Sequence, residues 1–322
     1  EFPEGKRPVV TIPNPNDLAT GLKFTPNSSA LAIGYFGSSA AVFDIPAGTK
    51  TLGPIEHDGG IIGITISRDG AQLLTRSLDQ TARLWDATTG VPLTEPMLHD
   101  SYVVGGYLSA QSKSAVTIGY DGQVKVWDIA GGNAQGESLS IRDGSTFSSI
   151  SPDWGTIFTT TKVEEVPGYT EFVGQLNALG QRRIIGQSKG KPLANGARIS
   201  GSRFTADGGT LIAVRIDGTV VVHDVNSGHE EQAFQIESGG RTVQLRAISG
   251  DGSTIAIATQ DRSKVPPHSL LSVWHRRQNS YEPASGIPDN QEIGAIALNG
   301  DGSRMVTSHN QSLQVWARDA TG

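Results

Sequence analysis

Cysteine is absent from the 322 residues of the chain, which excludes disulfide bonds and thiolate metal sites. Its absence does not decide the compartment, because a chain of this length buries enough apolar surface to fold without covalent cross-links. Long hydrophobic runs are also absent, and none approaches the ~20 residues of a membrane-spanning helix. We therefore expect no membrane partner.

The N-terminal residues lack the basic and apolar regions of a signal peptide. The chain begins at Glu1 rather than at a methionine. These two observations predict a cytoplasmic protein whose N-terminus has been processed or excised from a longer chain.

The chain also has no excess of basic residues. It contains 26 lysines and arginines and 32 aspartates and glutamates, which gives a formal net charge of −6. This balance argues against broad, non-specific binding to nucleic acid. The basic cluster of Arg182, Arg183, Lys189 and Lys191 has no interleaved aromatic residue, which favours a solvated loop. A nucleic-acid partner is therefore not expected.

Short apolar runs that are rich in β-branched residues recur along the chain, for example at residues 61–66, 219–223 and 253–259. Glycine, aspartate and asparagine separate these runs, as is typical of strands joined by tight turns. Glycine occurs 40 times, above its usual share of about 7 %, which fits many turns with positive φ. No helix-length amphipathic stretch competes, so the fold class is all-β.

Seven of these runs end in a Trp-Asp pair or a related pair. The pairs are Phe43-Asp44, Trp85-Asp86, Trp127-Asp128, Leu176-Asn177, His223-Asp224, Trp274-His275 and Trp316-Ala317. Successive pairs are 42, 42, 49, 47, 51 and 42 residues apart. A period of this length indicates a radial or solenoid array of one supersecondary unit.

Residues 70–90, GAQLLTRSLDQTARLWDATTG, resemble the WD40 repeat, and residues 121–128, DGQVKVWD, repeat its core. The resemblance implies a seven-bladed WD40-type β-propeller with four-stranded antiparallel blades. It also implies closure by an N-terminal strand, residues 7–12, that pairs with the C-terminal blade. We expect residues 1–322 to form one domain, with the third strands of the blades ending near residues 44, 86, 128, 177, 224, 275 and 317.

A histidine, a serine and an aspartate of the second unit could be mistaken for a nucleophilic triad. In WD40 proteins, however, the residues that match His57, Ser77, Asp79 and Trp85 form a structural hydrogen-bond network. The third unit keeps the equivalents His99, Asp121 and Trp127, but Gly119 stands where the serine is expected, so the resemblance implies an incomplete network there.

Other catalytic and metal-binding patterns receive little support. Residues 186–190 match the Gly-x-Ser-x-Gly pattern by letter, but such an elbow needs a preceding strand and a following helix, and Pro192 follows shortly. The seven histidines show no metal-ligand spacing. We expect no catalytic residue, no metal site and no cofactor.

The resemblance implies that partners dock on the top face, which bears the loops between blades and the turns between second and third strands. The matching positions are Leu18, Phe36, Ile62, Leu78, Tyr102, Tyr120, Arg198 and Ile216, and Tyr169 in a long turn is a further candidate. Aromatic and aliphatic side chains on a rigid surface are typical of protein-binding hot spots. The alternative is that some of these side chains point inward and pack between blades.

The sequence leaves three possible functions open. The first is a non-catalytic interaction or scaffold module, part of a larger signalling or sensor protein, that binds a protein or peptide on its top face. The second is a propeller lectin or small-ligand binder, which needs equivalent aromatic and polar pockets in several blades. The third is a hydrolase that uses the axial funnel. The sequence indicates no oligomeric state.

Overall fold

The structure is a computed structural model. It describes residues 8–13, 17–131, 135–139, 145–152, 154, 156–163, 168–176, 184–185, 199–215, 217–227, 230–236, 242–261, 268–277, 280–284, 294–309 and 312–318.

The described residues form 28 strands. The strands of the N-terminal half are β1 (Val10–Pro13), β2 (Ala19–Phe24), β3 (Ala30–Tyr35), β4 (Ser39–Asp44), β5 (Lys50–Glu56), β6 (Ile61–Ile66), β7 (Gln72–Ser77), β8 (Thr81–Asp86), β9 (Met97–Leu98), β10 (Val103–Leu108), β11 (Ser114–Gly119), β12 (Val124–Asp128) and β13 (Gln135–Leu139). The remaining strands are β14 (Ser145–Ile150), β15 (Thr156–Val163), β16 (Gly168–Leu176), β17 (Ile184–Ile185), β18 (Ile199–Phe204), β19 (Thr210–Arg215), β20 (Thr219–Asp224), β21 (Glu230–Gln235), β22 (Thr242–Ile248), β23 (Thr254–Asp261), β24 (His268–Arg277), β25 (Ser280–Pro283), β26 (Ile296–Leu298), β27 (Arg304–Ser308) and β28 (Ser312–Ala317). No candidate for a membrane-spanning helix occurs among the described residues.

The strands pair into seven antiparallel sheets of four strands each. In chain order, the first six sheets are β2–β5, β6–β9, β10–β13, β14–β17, β18–β21 and β22–β25, and each uses four consecutive strands. The seventh sheet has the order β1-β28-β27-β26, so it takes one strand from the N-terminal end of the chain. The prediction of an all-β fold of four-stranded antiparallel units is confirmed.

The N-terminal strand lies slightly later in the sequence than residues 7–12. Strand β1 pairs with β28 from Val10 opposite Val315 to Pro13 opposite Ser312. The Val9 amide adds a hydrogen bond of 2.8 Å to the Val315 carbonyl. Residue 7 lies outside the described residues.

The third strands of the seven sheets end at Asp44, Asp86, Asp128, Leu176, Asp224, Arg277 and Ala317. The sixth differs from the expected position, because β24 continues two residues beyond His275. Arg276 and Arg277 pair there with Tyr281 and Ser280 of β25, so the Trp274-His275 pair lies inside the strand. Residue 177, predicted as the fourth end point, lies outside the described residues.

Neighbouring sheets share their cores. One buried cluster joins Ile61 and Leu73 of the second sheet to Ala32 of the first sheet. Another joins Ile12 of β1 and Val315 to residues of the first sheet, including Ile33. The Arg304 guanidinium of the seventh sheet also donates to the Ser28 carbonyl at 3.0 Å. The two ends of the chain therefore pack against each other across one apolar core.

The contribution of β1 can be measured through Ile12, which is completely buried in this shared core. We expect Ile12→Val to lower the free energy of unfolding by about 1 kcal/mol, because one methylene leaves a packed site. Thr11→Val is the matched control, because Thr11 is the exposed neighbour of Ile12 on the same strand. This substitution should change the free energy of unfolding by less than about 0.5 kcal/mol. Urea denaturation measures both, and equal stability of the two variants would contradict a packed β1.

Candidate binding face

The second sheet contains a buried polar network that links His57 to Trp85. The His57 Nε2 atom lies 2.7 Å from Thr75 Oγ1, and the Trp85 indole donates to the same oxygen at 2.8 Å. The other ring nitrogen, Nδ1, lies 2.8 Å from Asp79 Oδ2. The link between the two rings is thus Thr75, which lies two residues before Ser77 on the same face of β7 and was not among the residues expected in the network.

Ser77 and Asp79 hold the turn at the end of β7. The Ser77 hydroxyl lies 2.8 Å from the Gly59 carbonyl oxygen and 3.0 Å from that of Gly60, and it accepts the Asp79 amide at 3.1 Å. The imidazole of His57 contacts Thr75 rather than Ser77. Among the described residues no imidazole is hydrogen-bonded to the Ser77 hydroxyl, so His57, Ser77 and Asp79 are not arranged as a nucleophilic triad.

The protonation of His57 and Asp79 fits a structural role. Burial lowers the pKa of His57, although the bond to Asp79 opposes this effect. Burial would raise the pKa of Asp79, but hydrogen bonds from Thr81 and His57 lower it overall. The imidazole is thus held neutral beside a carboxylate that accepts its hydrogen bond.

The third sheet repeats the central part of the network. Thr117 Oγ1 lies 2.6 Å from His99 Nε2 and accepts the Trp127 indole N–H at 2.6 Å. Thr117 therefore makes the link between the two rings, as Thr75 does in the second sheet, although Gly119 stands at the position of Ser77. Asp121 instead accepts the Gln123 amide at 3.0 Å. Among the described residues His99 Nδ1 has no hydrogen-bond partner, and burial, helped by Lys125, lowers the pKa of His99 to about 4.

The seventh sheet carries a variant of the same network. The Trp316 indole donates to Thr307 Oγ1 at 2.9 Å, and His309 Nε2 lies 2.9 Å from that oxygen. Sequence reasoning missed the three threonines. A threonine nine or ten residues before each tryptophan was the available signal.

Four of the predicted partner-binding side chains are exposed. The exposed fractions are 53 % for Leu18, 52 % for Phe36, 39 % for Leu78 and 67 % for Tyr120. The last three follow the second strands of three successive sheets. Each donates its amide at 2.9 Å to a carbonyl in the loop before its sheet, namely that of Leu18, Gly60 or Tyr102. The same backbone hydrogen bond is therefore found in three sheets, and in each of them it positions an exposed apolar or aromatic side chain.

Tyr102 and Tyr120 form a stacked pair. Their ring centroids are 4.4 Å apart, and the ring planes make an angle of 23°. Tyr102 is half-buried beneath the more exposed Tyr120. Stacking fixes the orientation of Tyr120 before any partner arrives, which reduces the entropy cost of using it in an interface.

Close backbone contacts connect this surface across the sheets. A Cβ atom on Gly60 would collide with the Phe36 carbonyl oxygen and would lie 3.5 Å from Leu78 Cδ1. A Cβ atom on Gly294 of the seventh sheet would lie 3.3 Å from Leu18 Cδ1. We call Leu18, Phe36, Leu78, Tyr102 and Tyr120 the candidate face.

The other predicted contacts are placed differently or lie outside the described residues. Ile62 is half-buried in β6, where the pairing register with β7 shifts between Ile61 and Gly63. Tyr169 lies within β16, opposite Lys162 of β15, rather than in a free loop. Arg198 and Ile216 lie outside the described residues. In the described part of the chain, no group of three or more histidines and carboxylates could hold a metal ion.

Comparison with known proteins gives a family match and a curated relative. The family described as WD domain, G-beta repeat, matches residues 49–86. A Poly(A)+ RNA export protein of Schizosaccharomyces pombe is 28 % identical over 79 residues, which are 24 % of this chain and 22 % of that protein. This chain thus matches less than a quarter of the length of its curated relative.

The fold has a counterpart among solved structures. The β-propeller domain of Cps50 (Swd1) from Myceliophteria thermophila superposes with a TM-score of 0.76 at 16 % sequence identity. The superposition covers 96 % of this chain and 100 % of that domain. At this low sequence identity, the similarity between the two proteins shows a common fold and no more.

Proposed function

Because this chain is a WD40-repeat β-propeller protein, we propose that it is a non-catalytic scaffold module that binds a protein or peptide on the candidate face. Propellers of this family typically act as platforms for protein interactions. In our proposal, the seven sheets are the blades of one closed ring formed by residues 1–322, with β1 completing the seventh blade. The module belongs to a larger signalling or sensor protein.

The observation that carries the proposal is the repeated presentation of apolar side chains. Phe36, Leu78 and Tyr120 occupy one backbone position in three successive blades, and all three are exposed. Large side chains on a rigid framework provide contact area at a low entropy cost. A hydrolase receives less support, since Ser77, His57 and Asp79 form structural contacts rather than a catalytic set.

The proposal is tested by capture from native extract with the wild type and two charge variants. We expect Phe36→Asp to recover at least tenfold less of the bound partner, because a carboxylate would be desolvated in an apolar contact. Leu98→Asp is the matched control, because Leu98 is 63 % exposed on β9. Both variants must keep the wild-type melting temperature. Equal recovery by Phe36→Asp and the wild type would refute the proposed face.

A further inference from the structure

In the proposed ring the first strands of the blades surround the centre, and together these strands carry basic but no acidic side chains. These strands are β2, β6, β10, β14, β18, β22 and β26, and their sequences contain no aspartate or glutamate. Strand β2 contacts both β6 and β26, and β18 contacts both β14 and β22. They contribute Lys23, Arg203 and Arg246 to a chain whose net charge is −6. These strands therefore differ in charge from the molecule as a whole.

The strand register places three of the polar groups at the same height. Lys23, Tyr107 and Arg203 each occupy the next-to-last position of their first strands, opposite Ala32, Val116 and Ile212 of the second strands. The residues that follow Lys23 and Arg203, Phe24 and Phe204, are buried in the apolar cores. Because side chains alternate along a strand, Lys23 and Arg203 lie on the face opposite these phenylalanines.

Arg76 reaches the same region from the second strand of the second blade. Its guanidinium occupies the space that a side chain on Gly63 would need, and its Nη1 donates to the Val104 carbonyl of β10 at 2.8 Å. Its Nε is buried and has no hydrogen-bond partner among the described residues. A donor is thus held in a fixed position without an acceptor, which costs stability.

These groups influence each other although they come from four blades. Burial lowers the pKa of Lys23 to about 8, and the charge of Arg203 contributes to this shift. Burial also lowers the pKa of Arg76, where Tyr107 opposes the shift and Arg203 adds to it. Burial raises the pKa of Tyr107 against the opposing charges of Arg76 and Arg203. The charge of Arg203 thus acts on Lys23, Arg76 and Tyr107, in agreement with the common position of Lys23, Tyr107 and Arg203 in the strand register.

Among the described residues, no carboxylate forms an ion pair with this cluster. The ion pairs of the described residues involve Arg83, Arg276, Arg277 and His57, but none involves Lys23, Arg76 or Arg203. Like charges that converge in a partly desolvated place destabilise the fold unless a counter-charge is supplied. Arg203 is exposed, so an ion from solvent can reach the cluster.

We propose that Lys23, Arg76 and Arg203 form an axial binding site for a small phosphate-bearing anion, with the Tyr107 hydroxyl as an additional donor. Guanidinium groups match the oxygen geometry of phosphate, and ammonium adds a compact charge. Three cations favour an anion with several negative charges, such as a diphosphate, over a singly charged one. This site is independent of the candidate face and uses none of its residues.

The site is tested by isothermal titration of the full chain with sodium pyrophosphate at pH 7, where Lys23 is charged, at constant ionic strength. We expect the wild type to bind and Arg203→Gln to bind at least tenfold more weakly. Arg277→Gln is the matched control, because Arg277 is an exposed arginine on β24 that already pairs with Glu282 at 3.6 Å. It should bind like the wild type.

Two further variants separate anion binding from a general effect on folding. Arg203→Glu supplies the missing carboxylate, so it should raise the melting temperature without ligand and abolish pyrophosphate binding. Lys23→Met should likewise raise the melting temperature and weaken binding at least tenfold. No binding by the wild type at millimolar pyrophosphate, or equal binding by the wild type and Arg203→Glu, would overturn the proposal.

Discussion

Replacing Tyr102 and Tyr120 together by alanine is expected to weaken partner binding by about 100-fold or more, which corresponds to about 3 kcal/mol. The large effect has two sources. Tyr120 is the most exposed member of the candidate face at 67 %, so its truncation removes the largest contact area. Tyr102 holds that ring in place through a stacked contact at 4.4 Å, and aromatic pairs add about 0.5–1.5 kcal/mol beyond their buried area.

The matched control truncates two exposed apolar residues elsewhere on the same chain. Val91 and Leu98 are 57 % and 63 % exposed near the outer strand β9. The Val91→Ala/Leu98→Ala variant removes apolar surface without touching the candidate face, so its affinity should stay within about twofold of the wild type. Surface plasmon resonance with the captured partner measures both variants. If the two double variants weakened binding equally, the tyrosine pair would not be the contact.

Thr75→Val is expected to lower the free energy of unfolding by about 2–5 kcal/mol. Valine has nearly the same shape as threonine, so no cavity forms, but the shared acceptor of the His57 and Trp85 rings disappears. Both rings are buried and would be left with an unsatisfied nitrogen, and each such group costs about 1–3 kcal/mol. Urea denaturation followed by tryptophan fluorescence reports the change.

Two control variants assign this loss to the hydroxyl group. Thr75→Ser keeps the hydroxyl and removes only a methyl group, so it should cost about 1 kcal/mol. Thr88→Val makes the same chemical change at an exposed turn position and should be nearly neutral. If Thr75→Val were as stable as the wild type, the hydrogen bonds of the network would contribute nothing to the free energy of unfolding.

The fold could be predicted largely from the sequence because each repeat carries its own signals. The Trp-Asp pairs at Trp85 and Trp127 mark the ends of third strands β8 and β12, which the structure places at Asp86 and Asp128. The prediction was less accurate at Trp274, because the end of β24 depends on how far β25 pairs with it. Pairing length is set by the partner strand and leaves little trace in the sequence of one strand.

The network could be predicted only in part. Thr75 and Ser77 are both polar, both buried and both on one face of β7, so period-two alternation cannot choose between them. The choice depends on the distance between strands, which brings the His57 and Trp85 rings to the earlier residue. In the third sheet Thr117 likewise supplies the hydroxyl between the rings, and this threonine could not be singled out from the sequence of one strand.

The positions of the candidate face follow from the repeat register, but their contacts do not. Phe36, Leu78 and Tyr120 could be placed because equivalent turns present equivalent residues. The stacking of Tyr102 on Tyr120 and the passage of Arg76 over Gly63 depend on side-chain directions between strands. Such contacts join residues from different strands or loops, and the periodicity of one strand does not contain them.

The most direct test of the proposed interaction surface is site-specific photo-crosslinking in native extract. A benzophenone amino acid is placed at position 36 on the candidate face in one protein and at position 98 on the outer strand in another. We expect a defined crosslinked partner from position 36 and only background from position 98. A partner crosslinked from position 98 but not from position 36 would contradict the assignment of the binding face.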